Sequence, residues 1–417
     1  MSLRQAEHLY QLSRYPEAIA AIHIHLANEP EDVHAHTLLA LSRYQAGDEL
    51  KEALKDIQNA IRLEPEDSEL FSIQTEILVS LGRPDKALRS AEEAIALDPG
   101  DSYARLAKAQ AYLCEENWFK GEKACREALE LDPDNLGAQN LLATCLRLQG
   151  KTAASLAEAE YSLSQNPEDS YAHSNLGWSY LQQNKREKAE EHFRESLRLD
   201  PTCELSRRGL LDSFRARSPF YRLYLKWIFF LSRFSGSKQT LFIIGIFIGY
   251  QVLSKILAKI DPRLMILFVI LYLFFILGSY LLRGIGNLSI LCDRSARYAL
   301  TQREKLEGFF VGGFTILGIL IILSTFLFPS AFLLFLGVTL FASALLNAMF
   351  WTNPNKLGRW IFGSSTLVVT SLGLIISFSA LLGEDLTATY LITPTLFILF
   401  ATTWLNLIPQ LKEEEIA

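Results

Sequence analysis

Residue types that commonly carry chemistry are scarce in this chain, above all in its second half. No histidine follows His192, and the five cysteines show neither C-x-x-C spacing nor a paired histidine. That pattern argues against a zinc site or a redox motif and favours reduced, buried thiols. The chain also has no phosphate-binding glycine loop, no dinucleotide fingerprint and no catalytic constellation. We therefore expect no catalytic residues, no cofactor, no metal and no enzyme activity.

Four histidines near the N-terminus invite a separate check for a metal site. They form two pairs, His23 with His25 and His34 with His36. Neighbours two residues apart on a helix point to different faces, so neither pair is arranged to share an ion. Helix packing or surface exposure is the expected role of these histidines.

Charge is distributed very unevenly along the 417 residues. Residues 1–212 hold 37 acidic and 23 basic side chains, a net charge of −14, whereas residues 213–417 hold 9 acidic and 17 basic, a net of +8. Nucleic-acid binding needs clustered lysine and arginine at phosphates, so the acidic half excludes that class of partner. The same charge would be repelled by anionic lipid.

A proline recurs through the first half with a nearly constant period. The intervals are 35, 34, 34, 34 and 34 residues, between Pro30, Pro65, Pro99, Pro133, Pro167 and Pro201. Each unit contains two amphipathic stretches of about 12–14 residues, separated near a glycine in the units that hold Gly47, Gly82 and Gly150. Glycine ends the first helix of a unit and proline cannot continue the second. A fixed period of this length predicts a helical solenoid.

The sixth unit shows which repeat this is. Its small and large residues are spaced as Leu176-Gly177, Tyr180, Ala189, Phe193 and Pro201. Residues 1–201 resemble the tetratricopeptide repeat on this pattern. The resemblance implies six helix pairs, and a further helix over residues 203–217 would cap the end of the stack.

In that family the first helices of successive units line a concave groove that binds peptides or partner domains. Projected onto this sequence, the partner-binding groove consists of His34, Thr37, Tyr44, Glu69, Glu76, Tyr103, Gln110, Asn140, Arg147, Tyr171 and Trp178. Ordinary packing between repeats is the alternative role for several of them. The lysine–asparagine clamp of chaperone-tail binders is absent, and Glu69 with Glu76 favours a basic or polar partner.

The second half contains six apolar runs, each close to the roughly 20 residues that a membrane-spanning helix needs. They lie at about 240–258, 264–282, 308–328, 331–351, 361–382 and 389–408. Interiors of runs three to six lack ionisable side chains, which counts against ion-coupled transport. Small residues predict close helix packing within the bundle, or dimerisation, at Gly245, Gly249, Gly373 and Ser377.

A basic, aromatic stem joins the halves. Arg215 and Arg217 precede an expected interfacial helix, in which Arg222, Lys226, Trp227 and Arg233 would meet lipid headgroups. With both termini inside, 14 basic residues lie inside and 3 outside, which indicates this orientation. The N-terminus has no signal-peptide core. We expect an integral membrane protein of the bacterial inner membrane with cytoplasmic termini.

The predicted fold is all-α: residues 1–217 form the repeat domain with its cap, 218–238 the interfacial linker, and 239–417 a six-helix transmembrane bundle. The leading hypothesis is a membrane-anchored scaffold that binds a protein or peptide partner. Membrane lipids, a membrane-protein partner and a second copy of the chain are further expected contacts. One alternative is a repeat-regulated channel or transporter for a small or lipidic substrate, lined by hydroxyls of the fifth span. Another is envelope lipid or glycan chemistry on the connection 284–307, with Asp293, Glu304 and Glu307 as its carboxylates.

Overall fold

The computed structural model describes residues 3–47, 49–234, 236–294, 296–383, 385–405 and 411, and every regular element within them is helical. The chain divides into two compact units. The first contains Met1–Cys203 together with Phe229–Phe242, and the second contains Glu204–Ile228 together with Ile243–Ala417. The predicted domain boundary at residue 217 stays a prediction, as does the capping role of residues 203–217.

Six helix pairs make up the repeat part of the first unit. In chain order they are α1 (Leu3–Gln11), α2 (Tyr15–Leu26), α3 (Val33–Ala46), α4 (Leu50–Leu63), α5 (Ser68–Ser80), α6 (Pro84–Leu97), α7 (Ser102–Cys114), α8 (Trp118–Leu131), α9 (Leu136–Leu148), α10 (Thr152–Gln165), α11 (Ser170–Gln182) and α12 (Arg186–Leu199). The α-helical solenoid is therefore confirmed.

Small residues let the two helices of a pair approach closely. One buried position repeats through the second helices as Ala18, Ala53, Ala87, Gly121, Ser155 and Ala189. In the sixth pair the contact is tightest: a Cβ added to Gly177 would lie 2.6 Å from the ring of Phe193, which is fully buried. Phe193 can occupy the seam only because residue 177 has no side chain.

Side-chain caps start the first helices of units two to six at a similar interval. Asp32, Asp67, Asp101, Asn135 and Asp169 each accept a backbone N–H of the turn that they open, for example Asp101 from Tyr103 at 2.8 Å. Each cap satisfies donors that the first helical turn leaves unpaired.

The turn within each pair needs one left-handed residue. Glycine supplies it at Gly47, Gly82 and Gly150, with φ of 80°, 65° and 80°. In the other three pairs a non-glycine residue takes the same conformation, at Ser13, Glu116 and Asn184. The turn geometry is therefore imposed by the stacked helices even where the residue disfavours it.

The following helices belong wholly or mainly to the second unit. They are α13 (Glu204–Arg215), α14 (Pro219–Leu231), α15 (Gly236–Ile260), α16 (Pro262–Cys292), α17 (Gln302–Glu307), α18 (Gly313–Ser324), α19 (Ala331–Thr352), α20 (Lys356–Leu382) and α21 (Asp385–Leu405). A 3-10 turn at Arg297–Ala299 precedes α17, and a π turn at Gly308–Gly312 joins α17 to α18.

Three helical stretches among the described residues are long and apolar enough to cross a membrane, where the sequence predicts six. They are Gln302–Ser324, Ala331–Thr352 and Lys356–Leu382. Shorter apolar stretches occur at Leu241–Leu257, Tyr280–Cys292 and Tyr390–Thr402. The end of the predicted sixth span, residues 406–408, lies outside the described residues.

Close helix packing in the second unit uses glycines, one of which, Gly373, the sequence predicts. A Cβ at Gly318 would lie 2.9 Å from the carbonyl oxygen of Gly337, and one at Gly373 would collide with Thr339. By contrast, no described atom lies within 4 Å of a Cβ added to Gly245 or Gly249. A packing role for the G-x-x-x-G pair of α15 therefore stays a prediction.

Arg215, which precedes the expected interfacial helix, belongs to a buried polar network. Its Nε and Nη2 donate to Oδ1 of Asn287 at 3.0 and 2.6 Å, and Asn287 Nδ2 donates to Oε2 of Glu307 at 3.0 Å. These three residues are 5%, 0% and 2% exposed. Protein oxygens have replaced water around this guanidinium, so Arg215 belongs to the core that α13, α16 and α17 form.

The stretch 283–307, expected to be a long connection, is largely helical. α16 continues to Cys292, and α17 starts at Gln302 with a capping box between Thr301 and Glu304. Glu304 is bound by Arg207, whose Nη1 lies 2.9 Å from Oε2. Arg217 of the stem likewise forms an ion pair with Asp293. The three carboxylates in this stretch therefore contact basic or amide side chains of the second unit.

Candidate functional site

Glu76 on α5 is the most distinctive member of the predicted groove. It is half-buried, and burial raises the pKa of its carboxyl. Tyr103 and Gln110, both on α7 of the next repeat, lie close enough to favour the charged form and so oppose this rise. No described cation pairs with this carboxylate.

Tyrosine hydroxyls surround this carboxylate. Burial raises the pKa of Tyr103 far above its usual range, and the adjacent Glu76 raises it further. Burial also raises the pKa of Tyr44, whose hydroxyl bonds with Ser80 and is influenced by Glu76. The structure thus brings together four of the predicted groove residues, from repeats two, three and four: Tyr44, Glu76, Tyr103 and Gln110.

Tyr10 of the first repeat joins the same cluster and was missed in the sequence. Burial raises the pKa of its hydroxyl, with further contributions from Tyr15 and Glu76. Its position carried a usable signal, because Tyr10 lies 34 residues before Tyr44 and hence at the equivalent place in its repeat. Tyr171 of the sixth repeat also contributes to the raised pKa of Tyr44. Hydroxyls of distant repeats therefore face one common region.

Asn140 has a structural role within the array. Its Nδ2 donates to Oδ2 of Asp169 at 2.6 Å, and its Oδ1 accepts from Ser162 at 3.2 Å. Asn175 bonds to the carbonyl of Asn140 at 3.0 Å and accepts from Thr144 at 2.9 Å. These bonds join the fifth and sixth repeats and use the polar atoms that a ligand would need.

Arg147 and Trp178 form an unusual pair at the far end of the groove. Arg147 is 8% exposed, and burial lowers its pKa to about 10. Its guanidinium lies 5.8 Å from the centre of the Trp178 ring, and among the described residues its Nε finds no hydrogen-bond acceptor. A buried arginine supported by a ring rather than by a carboxylate retains the capacity to bind an anion.

The remaining predicted groove residues are more exposed. His34 is exposed and its Nε2 lies 2.9 Å from Oε1 of Glu7. Glu69 is exposed, and Tyr171 is 60% exposed. Thr37 donates its hydroxyl to Val33 of its own helix at 2.9 Å. His34, Glu69 and Tyr171 are thus exposed at the surface, whereas Thr37 is half-buried with its hydroxyl engaged.

Sequence profiles of known repeats decide the architecture. Residues 3–68 and 76–135 match one tetratricopeptide repeat profile, and residues 170–203 match a second. The first half of the chain is a tetratricopeptide-repeat segment. The family evidence covers this segment alone, and no curated protein matches the chain.

Solved structures similar to the chain are repeat proteins at low identity. A tetratricopeptide repeat protein from Parabacteroides merdae shares 17% identity over 50% of this chain and 81% of its own, with a TM-score of 0.46. A thermophilic repeat protein from Thermus thermophilus shares 16% over 44% and 98%, with a TM-score of 0.41. YrrB, described as a repeat protein with an unusual peptide-binding site, shares 19% over 45% and 95%, with a TM-score of 0.32.

A segment of the chain beyond the tetratricopeptide repeats packs against the last three of them. Trp118 Nε1 donates to the carbonyl of Ser232 at 3.0 Å, and Trp178 makes an edge contact with Phe229 at 6.3 Å. Arg233 lies directly over Gly150, where an added Cβ would strike its guanidinium. Arg233 thus contacts the tetratricopeptide segment, whereas the sequence predicted a headgroup.

The other predicted interface residues lie on α14. Arg222 and Lys226 are exposed one turn apart, and Trp227 is half-buried. Tyr221 beside them is 4% exposed and donates its hydroxyl to Asp212 at 2.8 Å, so it is a core residue rather than a lipid anchor. The membrane-interface role of Arg222, Lys226 and Trp227 stays a prediction.

One histidine does lie among possible metal ligands, although not with another histidine. His25, Glu29 and Asp32 place ligand atoms within 4.8 Å of one another. Asp32 is already engaged, because its Oδ2 lies 2.6 Å from Nε2 of His25 and its Oδ1 accepts from the Ala35 backbone at 3.0 Å. These bonds explain the grouping as the cap of α3.

Proposed function

We propose that this protein is a membrane-anchored scaffold whose tetratricopeptide groove binds a protein or peptide segment carrying a basic side chain. Tetratricopeptide repeats are protein-interaction modules, and that much follows from the family. The observation that carries the finer proposal is the half-buried Glu76, which lies beside Tyr103 and Gln110 and which no described cation neutralises.

The chemistry of the groove centre favours a lysine or arginine of the partner. A cation entering beside Glu76 would replace water with a charge-assisted hydrogen bond, and the surrounding tyrosines supply rigid aromatic contact area. The net charge of −14 over residues 1–212 would also speed the approach of a basic segment.

Arg147 adds a second requirement at the other end of the groove. Its guanidinium lies against Trp178 without a described carboxylate. A partner with a carboxyl group placed there would relieve a buried, unpaired charge. The best-fitting partner segment therefore carries a basic residue for Glu76 and an acidic group for Arg147.

Anchoring rests on the second unit. The three membrane-length helices are the direct support, and α15, α16 and α21 complete the proposed set of six spans. The bias of 14 basic residues against 3 supports cytoplasmic termini, and an inner (plasma) membrane location goes with this orientation. Lipids, a further membrane protein or a second copy would be the contacts of this unit.

The channel alternative gains no support from the hydroxyls that suggested it. Ser364, Thr366 and Thr370 donate to carbonyls of their own helix, at Ile361, Phe362 and Thr366. Hydroxyls engaged in this way line a polar pathway poorly. The enzyme alternative is weaker for the same kind of reason, because arginine and asparagine side chains contact Glu304 and Glu307.

A peptide-binding experiment tests the groove directly. The full-length protein in a mild detergent is presented with peptides that carry a single lysine or arginine in an apolar context, and with the matching glutamate peptides. We expect the basic peptides to bind better, and Glu76→Gln to weaken them by about tenfold through loss of one charged hydrogen bond.

Glutamine has nearly the same shape as glutamate and can take the same place beside Tyr103 and Gln110, so the fold should persist. Glu93→Gln is the matched control, since Glu93 is exposed on α6 and this substitution removes the same charge elsewhere. Equal binding of basic and acidic peptides by the wild type, or unchanged basic-peptide binding by Glu76→Gln, would refute the proposed groove chemistry.

A further inference from the structure

A cleft of about 600 Å³ lies between α19 and α20 of the second unit. Asn347 and Phe350 line it from α19, and the first three turns of α20 line the rest. Gly363 keeps it open, because a Cβ there would lie 3.2 Å from the ring of Phe350. Trp360 and Leu367 of the lining are 79% and 72% exposed. The cleft therefore opens outward, to whatever surrounds α20.

One end of the cleft is positively charged. Lys356 is exposed and Arg359 half-buried in the first turn of α20, and both line the cleft. Neither forms an ion pair with a described residue, and the sequence from 308 to 383 contains no aspartate or glutamate. The N-terminal end of α20 adds its own partial positive charge. An anion at this end would neutralise two charges that no described residue pairs with.

The rest of the cleft is suited to an apolar chain. The hydroxyls of Ser364 and Thr366 donate to carbonyls of their own helix at 3.0 and 2.8 Å. Asn347 donates its Nδ2 to the carbonyl of Ser343 on its own helix α19 at 3.0 Å. With these donors engaged, the exposed surface of the lining consists chiefly of Phe350, Trp360 and Leu367.

Charge at one end and apolar walls at the other specify an amphiphile. A free phosphate would satisfy Lys356 and Arg359 but leave the apolar walls uncovered. An uncharged lipid would cover the walls and leave the two cations unpaired, and a zwitterionic lipid would bring a cation of its own beside its phosphate. An anionic lipid does both, and an indole such as that of Trp360 belongs at the level of lipid headgroups.

We propose that this cleft binds one anionic glycerophospholipid, with its phosphate at Lys356 and Arg359 and an acyl chain against Phe350 and Leu367. The inference rests on the membrane insertion proposed above. Basic side chains near a membrane attract anionic headgroups individually, so losing both should weaken binding by about tenfold or more.

Native mass spectrometry of the full-length protein in a mild neutral detergent tests the site. The protein is titrated with phosphatidylglycerol or phosphatidylcholine of identical chains. We expect the wild type to retain phosphatidylglycerol preferentially and the double variant Lys356→Gln with Arg359→Gln to lose that preference. The charge-conserving exchange Lys356→Arg with Arg359→Lys should keep it.

A second basic pair provides the matched control. Lys259 and Arg263 are also exposed and flank the turn between α15 and α16, so Lys259→Gln with Arg263→Gln removes the same charge away from the cleft. This variant should bind phosphatidylglycerol as the wild type does. Equal losses in both double variants, or no loss at Lys356 and Arg359, would overturn the assignment.

Two further measurements are needed. One tests membrane anchoring separately from lipid binding, and the other tests whether the C-terminal segment of the chain itself fills the cleft. Release of the wild type from membranes by alkali would refute the anchoring itself, whereas retention without phosphatidylglycerol preference would refute only the lipid site. Residues 413–415 of the chain are all glutamate. If phosphatidylglycerol bound only after deletion of residues 412–417, the acidic tail would be the occupant and the lipid assignment would be wrong.

Discussion

Small residues bring helices together in both units, but the atoms that these residues contact differ. In the repeats, alanine or glycine at a fixed position lets side chains of the partner helix interdigitate, as with Gly177 and Phe193. In the second unit some glycines face backbone instead: a Cβ at Gly312 would lie 2.6 Å from the carbonyl oxygen of Gly284, and Gly318 faces Gly337 similarly. Backbone-to-backbone contact is typical of helices that cannot rely on water to drive them together.

Charged groups are also handled differently. In the repeats most ion pairs are at the surface, such as Arg126 with Glu122 and Lys55 with Glu52, where each contributes little. The second unit buries Arg215, Asn287 and Glu307 in one continuous network. The polar groups of this network therefore bond to one another. By contrast, Arg147 and Glu76 of the repeats have no ionic partner among the described residues. That difference is why ligand binding is proposed for the groove and structure for the network.

The largest expected effect breaks the buried network. Asn287→Leu would leave Arg215 and Glu307 without the amide that joins them, and removing a partner from a buried charged network costs about 3–5 kcal/mol. A denaturant titration of the full chain in detergent measures the loss in the free energy of unfolding. Asn28→Leu is the control in the repeats, where Asn28 is exposed and the change should stay within about 0.5 kcal/mol. Equal stability of the two variants would show that the network is dispensable.

A smaller effect on stability is expected from substituting a glycine of each unit. Gly177→Ala should destabilise the repeats by about 1–3 kcal/mol, because the added methyl group collides with the Phe193 ring. Gly245→Ala should be neutral or stabilising by up to about 1 kcal/mol, because alanine favours a helix and no described atom lies within 4 Å of the added Cβ. Thermal unfolding of both variants decides the point. A stability loss at Gly245 would indicate that a second copy or another protein packs on α15.

The smallest expected effect is on the pH dependence of stability. Burial and the neighbouring His173 lower the pKa of His192, which also stacks on Tyr180. Because the folded chain binds this proton less readily than the unfolded chain, the stabilising contribution is complete above about pH 6.5 and is lost as the pH falls below it. His192→Phe should keep the stacking and flatten that loss between about pH 8 and pH 5.5. His8→Gln, at an exposed position, should leave the pH profile unchanged.

Since every histidine lies at or before His192, this acid effect should be confined to the repeat unit. Thermal unfolding at each pH, with the two units resolved by separate transitions, tests the assignment. A pH profile of His192→Phe that matched the wild type would place the titrating group elsewhere.

Groove positions could be projected from the repeat, but their partners could not. The offset within each unit identified Tyr44, Glu76, Tyr103 and Gln110, which the structure brings together. Asn140 was projected equally well, yet its polar atoms bond to Asp169, 29 residues away. Periodicity tells which face a residue occupies, whereas the hydrogen-bond partner depends on how the next repeat is stacked.

The arginines of the stem show the same contrast between what the sequence pattern predicts and which partner the fold supplies. The sequence places Arg215 and Arg217 just before an interfacial helix and predicts a lipid headgroup for Arg233, because basic and aromatic residues alternate there. In the structure these three arginines contact Asn287, Asp293 and the turn at Gly150. Local pattern cannot distinguish an arginine that faces phosphate from one whose acceptor lies far along the chain, as the acceptor of Arg215 does at a separation of 72 residues.

From sequence alone came the helical class, the period of the repeats, the acidic groove and the apolar character of the second half, because each depends on residue spacing along one helix or on composition. Tertiary structure decided which charges are neutralised. Pairing a guanidinium with an amide, or leaving a carboxylate open beside tyrosines, depends on contacts between helices far apart in sequence. The cleft at Lys356 and Arg359 likewise exists only because Gly363 of α20 faces Phe350 of α19.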